Sequence, residues 1–212
     1  MKRRLFNSVL GTSALGTWAV GALAQGGPIE GTHFQRLKQP APVAARDGKI
    51  EVVEFFWYGC PACNALEPTL VRWTKTLKPD IVFRRIPVAF GAIHESHQRL
   101  FFALEAMGQL EALHERVFAA IHTGQQRLDK EADQVAFAKA QGLDPAKFSE
   151  VLRSFSVQTR ARQARQLAES YRIEGVPTLG VHGKFVTSVA MAGDAARALA
   201  VVDFLVAQVR RG

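Results

Sequence analysis

The sequence predicts an α/β fold with an inserted all-helical subdomain. Three observations carry that expectation. Two short apolar stretches rich in β-branched and aromatic residues, 51–58 and 81–88, read as buried strands. From about His94 the apolar spacing switches to the helical period and keeps it through Tyr171. Strand character then returns at Leu179–Val181 and Phe185–Ser188, and a last amphipathic stretch runs from Ala195 to Val209.

The elements follow in chain order. Lys2, Arg3 and Arg4 form a positive head before the uncharged stretch Leu5–Leu23, and Ala22-Leu23-Ala24 offers a small-residue cleavage site before Gln25. Residues 1–24 are therefore expected to be a cleaved signal peptide. The Gly, Ser and Thr content makes the segment a poor spanning helix. Arg3-Arg4-Leu5-Phe6 also matches the start of a twin-arginine signal, so either export route is open. Both end beyond the inner membrane, in the periplasm, an oxidising compartment. Residues 25–92 form the first part of the main fold, 93–157 the helical insertion and 158–212 the second part. Thr32–Leu37 alternates as a first strand, and Gln39-Pro40-Ala41-Pro42 links it to the strand ending at Tyr58. Gly59 breaks that strand, Cys60 takes the N-cap position and Pro61 the first helical one, where a missing N–H costs nothing. Cys63, Leu66, Leu70, Trp73 and Leu77 then make one apolar stripe, with Pro68 expected to kink the helix. The Pro of Ile81–Val88 marks that strand as an edge or its end. Two helices separated near Gly108 follow, then helices over Asp133–Gln141, Pro145–Arg153 and Thr159–Tyr171. His182-Gly183 turns a hairpin.

The chain has two cysteines, both in Cys60-Pro61-Ala62-Cys63. One pair at this spacing cannot build a disulfide scaffold, but it can open and close one short disulfide. A thiol at a helix N-terminus faces unpaired N–H groups and the positive end of the dipole, and both favour thiolate. Cys60 is thus the expected exposed nucleophile and Cys63, one turn in, the resolving thiol. Glu54, six residues earlier in an apolar strand, should lie beneath them. A carboxyl buried there has a raised pKa and can exchange a proton with Cys63. Far along the chain, Gly175-Val176-Pro177-Thr178-Leu179 places a Pro at a strand start after a helix, a position suited to a cis bond.

Composition narrows the function classes. The chain is 48% hydrophobic, enough to bury a core without disulfide support. Net charge is +8, and +5 once Lys2, Arg3 and Arg4 leave with a segment that holds no acid. Arg153, Arg160, Arg162, Arg165, Arg210 and Arg211 read as solvated helix faces, and no nucleic-acid motif accompanies them. His94, His97, His114 and His122 read as surface residues. With one CxxC the zinc-ribbon pattern is missing, so no metal is expected. Phe101, Phe102, Phe118 and Phe137 read as core.

The residues Glu54-Phe55-Phe56-Trp57-Tyr58-Gly59-Cys60-Pro61-Ala62-Cys63, Glu67-Pro68, Gly175-Val176-Pro177-Thr178 and Val181-His182-Gly183-Lys184-Phe185 resemble the DsbA-type thiol:disulfide oxidoreductases of Gram-negative bacteria. The resemblance covers nearly all of the chain after residue 24. It implies a thioredoxin fold with a helical insertion, and a protein that donates its Cys60–Cys63 disulfide to exported proteins. It implies no cofactor beyond that redox-active disulfide. Its implied partners are unfolded or partly folded exported proteins, with a DsbB-like membrane quinone oxidoreductase as reoxidant; nucleic acid is not among them, and a monomer is expected. It also implies that the Pro177 loop is cis and packs on the CxxC, that Val176 offers backbone groups to a substrate strand, that Tyr58 adds apolar surface for clients, and that Glu54 pairs with Arg85. Val176 sets the chain apart from the isomerases of the superfamily, which carry Thr there and an N-terminal dimerisation domain that this chain is expected to lack.

One residue departs from the family's commonest active site, which has His where this chain has Ala62. Ala62 can neither donate to the sulfur nor add charge. If that loss is worth on the order of one to two pKa units, the disulfide is less oxidising by about 30–60 mV. Equilibrium with glutathione reads that difference. Three other functions fit the same residues: a disulfide reductase or isomerase, a copper-site metallochaperone, and a non-catalytic chaperone on the same scaffold.

Overall fold

The computed structural model describes residues 27–212. The expected signal peptide lies outside the described residues. The sheet is built around β2 (Ile50–Phe56), every residue of which is buried. Burying side chains such as Val52, Val53, Phe55 and Phe56 contributes about 1.5–3 kcal/mol each. The strand therefore belongs in the middle of the sheet. It pairs in parallel with β3 (Ile81–Pro87) and antiparallel with β4 (Thr178–Val181). β5 (Phe185–Ser188) and β1 (Gln35–Arg36) extend the far side, giving the order β1-β5-β4-β2-β3. β3 is an edge strand that ends at Pro87, as the missing N–H requires.

Eight helices complete the described residues: α1 (Pro61–Thr74), α2 (Ala92–Ala106), α3 (Leu110–His122), α4 (Glu131–Ala140), α5 (Pro145–Arg153), α6 (Phe155–Ser170), α7 (Val189–Ala192) and α8 (Ala195–Arg211). Val52 and Ile50 pack with Leu66 and Leu70 of α1 and with Val202 and Leu205 of α8. Val53 and Phe55 pack on the other side, in a core shared with α2, α3 and α6. Phe101, Phe102, Phe118 and Phe137 all lie in that core. The alternation of a strand puts Glu54 on the Val52 face, toward α1. Phe56, at the strand end, joins the aromatic cluster of the helical part, 5.5 Å from Phe101 and 6.0 Å from Phe118 between ring centres.

The caps are those the sequence signals. Asp144 accepts from the Lys147 N–H at 2.7 Å ahead of Pro145, and Gly108 takes φ +67° between α2 and α3. In the hairpin Gly183 has φ +65°, and a Cβ there would stand 2.2 Å from the Ala41 carbonyl oxygen, so only glycine fits.

Several boundaries differ from expectation. The first strand shrinks to Gln35–Arg36, because only those residues pair with β5 and Thr32 lies in a turn. α1 runs through Pro68 without a break, the exposed ring facing solvent, and ends at Thr74, so Leu77 lies past it. α6 starts at Phe155, where the Ser154 side chain accepts from the Val157 N–H at 3.3 Å, and it continues unbroken across positions 157–158. The short α7 has no apolar period to announce it; its start is the Ser188 cap on the Met191 N–H.

Candidate active site

The site forms where β2 leaves the sheet. The Cys60 N–H bonds the Trp57 carbonyl at 3.0 Å, closing a turn, and the Cys60 carbonyl accepts from the Asn64 N–H at 3.1 Å, opening α1. A Cβ on Gly59 would stand 2.3 Å from the Trp57 indole, so the turn needs glycine for close approach. Cys60 is the N-cap and Pro61 follows it in the first turn. The Cys60 sulfur accepts from the Cys63 N–H at 3.3 Å. Both cysteines are free thiols. Cys60 is exposed over only 9% of its surface and Cys63 over none, so the nucleophile is less open than the sequence suggests.

The Val176–Pro177 bond is cis, and the loop packs against the cysteines: the Cys60 thiol donates to the Val176 carbonyl at 3.5 Å. Val176 is half-buried and Pro177 buried, while Pro61 and Ala62 are exposed. The cis bond and the CxxC, 113 residues apart from Cys63 to Val176, thus meet at one point.

These surroundings split the two thiols. The sulfur–sulfur hydrogen bond with Cys63 pulls the Cys60 pKa down to about 6, against its partial burial. The N–H groups of Cys63 and Ala62 and the charge of His122 act in the same direction. Cys63 goes the other way, pushed well above the ordinary thiol range by that same bond and by burial.

Beneath the cysteines lies a buried charge network. Glu54 is fully buried, and burial raises its pKa to about 8, helped by the Glu67 carboxyl and opposed by Arg85. Arg85 Nε stands 3.3 Å from Glu54 Oε2, the two residues being register partners on β2 and β3. The same guanidinium makes a short hydrogen bond to Glu67 of α1. Burial alone would raise Glu67, but the His114 ring, 3.5 Å away, and Arg85 outweigh it and hold the carboxyl below its ordinary value. Burial lowers the His114 pKa, which favours the neutral ring. Its Nδ1 then accepts from the Tyr58 hydroxyl at 2.8 Å.

Three expectations need correction. Tyr58 offers no surface to a substrate: it is fully buried, its ring packed on Phe56, Phe118 and His114 and its hydroxyl spent on His114. The histidines are not surface residues. His97 and His114 are buried, His97 bonding the Arg127 carbonyl at 2.8 Å, while His94 and His122 are half-buried, His94 against Trp57 with ring centres 4.2 Å apart. Glu67, His114 and His122 were given no role by sequence reasoning, yet they adjoin the site. Glu67 carried a signal: four residues after Cys63, it falls on the apolar stripe of α1, where a carboxylate needs a partner. Among the described residues no three His, Cys, Asp or Glu side chains are grouped to hold a metal ion.

Residues 84–200 match the model of the family described as "DSBA-like thioredoxin domain". Over 183 residues the chain is 42% identical to the thiol:disulfide interchange protein DsbA of Burkholderia cepacia, covering 86% of each chain. Over 179 residues it is 44% identical to the DsbA of Bordetella parapertussis, covering 84% of this chain and 85% of that one. The crystal structure of Pseudomonas aeruginosa DsbA superposes with a TM-score of 0.83 at 38% identity, covering 87% of this chain and 95% of that one. The oxidoreductase DsbA of Xylella fastidiosa gives 0.81 at 28% identity, with 87% and 99% covered.

Proposed function

The chain belongs to the DSBA-like thioredoxin-domain family and is a thiol:disulfide oxidoreductase, and from that premise we propose that it works as an oxidant, donating the Cys60–Cys63 disulfide to exported proteins in the periplasm. The observation that carries this direction is the unequal pair: a Cys60 thiol shifted down to about 6 beside a Cys63 thiol shifted up. A stabilised Cys60 thiolate lowers the free energy of the reduced form, and that makes the disulfide the better electron acceptor.

The steps balance as follows. A client thiolate attacks Cys60 Sγ, the Cys60–Cys63 bond breaks, and Cys63 leaves with the electron pair. Buried and destabilised as an anion, Cys63 takes up a proton. A second client thiolate then attacks the client sulfur of the mixed disulfide and expels Cys60 as its stabilised thiolate. The client loses two electrons and the protein gains them. Val176 and Pro177 hold the client strand by backbone groups beside Cys60. Ala62 makes the disulfide a weaker oxidant than a histidine there would, a difference read in equilibrium with glutathione. A DsbB-like membrane quinone oxidoreductase restores the disulfide, residues 1–24 direct export, and the protein acts as a monomer.

Glu54 is the proton carrier for Cys63 in this scheme. A carboxyl with a pKa of about 8 is largely protonated at neutral pH and can give and retake a proton without leaving its buried position. Glu54→Gln is expected to slow formation of the mixed disulfide, the step in which Cys63 leaves and is protonated, by about 100-fold. A stopped-flow rate equal to that of the parent would exclude the role.

The experiment for the whole reading is trapping. Cys63→Ala, expressed in a periplasm, is expected to accumulate reducible mixed disulfides through Cys60 to exported proteins, identifiable by mass spectrometry. A variant that collects none would contradict it.

A further inference from the structure

One helix of the insertion grips the active-site turn at two points. The last residue of α3, His122, stands with Nε2 at 2.8 Å from the Tyr58 carbonyl. A carbonyl only accepts, so Nε2 carries the proton. Two turns earlier on the same helix, His114 takes the Tyr58 hydroxyl, also at 2.8 Å. Tyr58 lies two residues before Cys60, inside the turn closed by the Trp57–Cys60 hydrogen bond. His122 itself rests on Phe118, with ring centres 6.0 Å apart and planes 25° apart.

The loop between the two cysteines offers the sulfur no side-chain charge. Pro61 and Ala62 carry neither a side-chain donor nor a charge. Cys60 touches Cys63 of α1 and the Val176 carbonyl from the loop before β4; the charges that bear on it from further off are His122 of α3, and the Glu54 carboxyl of β2, backed by Glu67 and Arg85. Cys63 and Glu54 can only add negative charge, and Arg85 is engaged by Glu54 and Glu67.

We propose that His122 is the positioning residue through which the helical insertion sets the reactivity of Cys60: it anchors the Tyr58 carbonyl, and its imidazolium form presents to the sulfur the positive charge that Pro61-Ala62 lacks. The inference rests on the oxidoreductase reading and refines it. The insertion then acts as part of the redox centre. Anything that moves α3 changes how strongly the protein oxidises.

Two variants of the full chain separate anchoring from charge. His122→Gln keeps a donor for the carbonyl and removes the charge; His122→Ala removes both. Cys60 is titrated in each by the ultraviolet absorbance of its thiolate, and the disulfide is equilibrated with glutathione. His122→Gln is expected to raise the Cys60 midpoint by roughly half a pH unit or more and to make the glutathione equilibrium several-fold less oxidising. His122→Ala is expected to do at least as much and to lower the thermal midpoint as well. Superimposable Gln and parent titrations would overturn the charge role, and a parent-like His122→Ala would overturn the whole inference. Oxidation of a reduced client by the parent is run alongside. A parent that fails it defeats the oxidant reading; a parent that succeeds beside indifferent His122 variants defeats this inference alone.

Discussion

Cys60→Ala is expected to abolish disulfide transfer to a reduced, unfolded client, lowering the rate by at least about 10³-fold. The chain has no third cysteine to take over either role, and Cys63 is fully buried, so no other sulfur can meet a client. The variant should fold. Alanine keeps the Cβ and loses only the sulfur, Pro61 still starts the helix, and loss of the cap costs about 1 kcal/mol. Client oxidation followed by thiol counting, with a thermal melt of the same sample, checks both halves. A folded Cys60→Ala protein that still promoted client folding would move the function to a non-catalytic surface. The reductase, isomerase and metallochaperone readings also need Cys60, so the sign of the glutathione equilibrium and the clients trapped by Cys63→Ala separate those.

Arg85→Met is expected to destabilise the protein by about 3–5 kcal/mol at neutral pH, because it removes the one cation shared by two buried carboxyls. For a chain of this size that is a fall of about 10 °C in thermal midpoint. Glu54 contributes little of it, since with a pKa of about 8 it is already largely neutral at pH 7. Glu67 is the group left stranded. Its carboxyl is held below the ordinary value in the fold, so its contribution is present above the ordinary carboxylate range and is lost as pH falls through the lowered value. The gap between parent and variant is therefore widest near neutrality and narrows in acid. Glu67→Gln added to Arg85→Met should recover most of the loss at pH 7. An Arg85→Met protein that melts with the parent at pH 7, or a double variant no better than the single, would show that the network does not depend on this arginine.

The nucleophile, its helix start and the cis loop were legible because each rests on local chemistry. A Cys before Pro at a strand–helix junction and a Pro opening a strand leave few backbone choices. The order of strands and helices followed from period changes alone. What stayed hidden depends on distant residues meeting. Tyr58 looks like an amphipathic surface residue until α3 is seen to cover it, and a histidine pattern does not show that His114 and His122 close on Tyr58 from 56 and 64 residues away. Glu67 sits between the two cases. Its spacing put it on the buried stripe, but its partners, Arg85 and His114, come from a strand and a helix that sequence order does not bring together. The first strand failed for a related reason: alternation over Thr32–Leu37 is real, yet only Gln35 and Arg36 find a partner strand.

Stabilisation of one sulfur anion underlies the whole account, and the ultraviolet absorbance of the reduced protein followed across pH measures it directly. The Cys60 pKa is lowered in the fold, so the extra stability of the reduced form is fully present above the ordinary thiol range, and the oxidising strength weakens as pH falls through the folded value. A thiolate midpoint near pH 6, with no second thiolate appearing below the ordinary range, is the expected result. A single midpoint at about 8.5, that of an unperturbed cysteine, would contradict it.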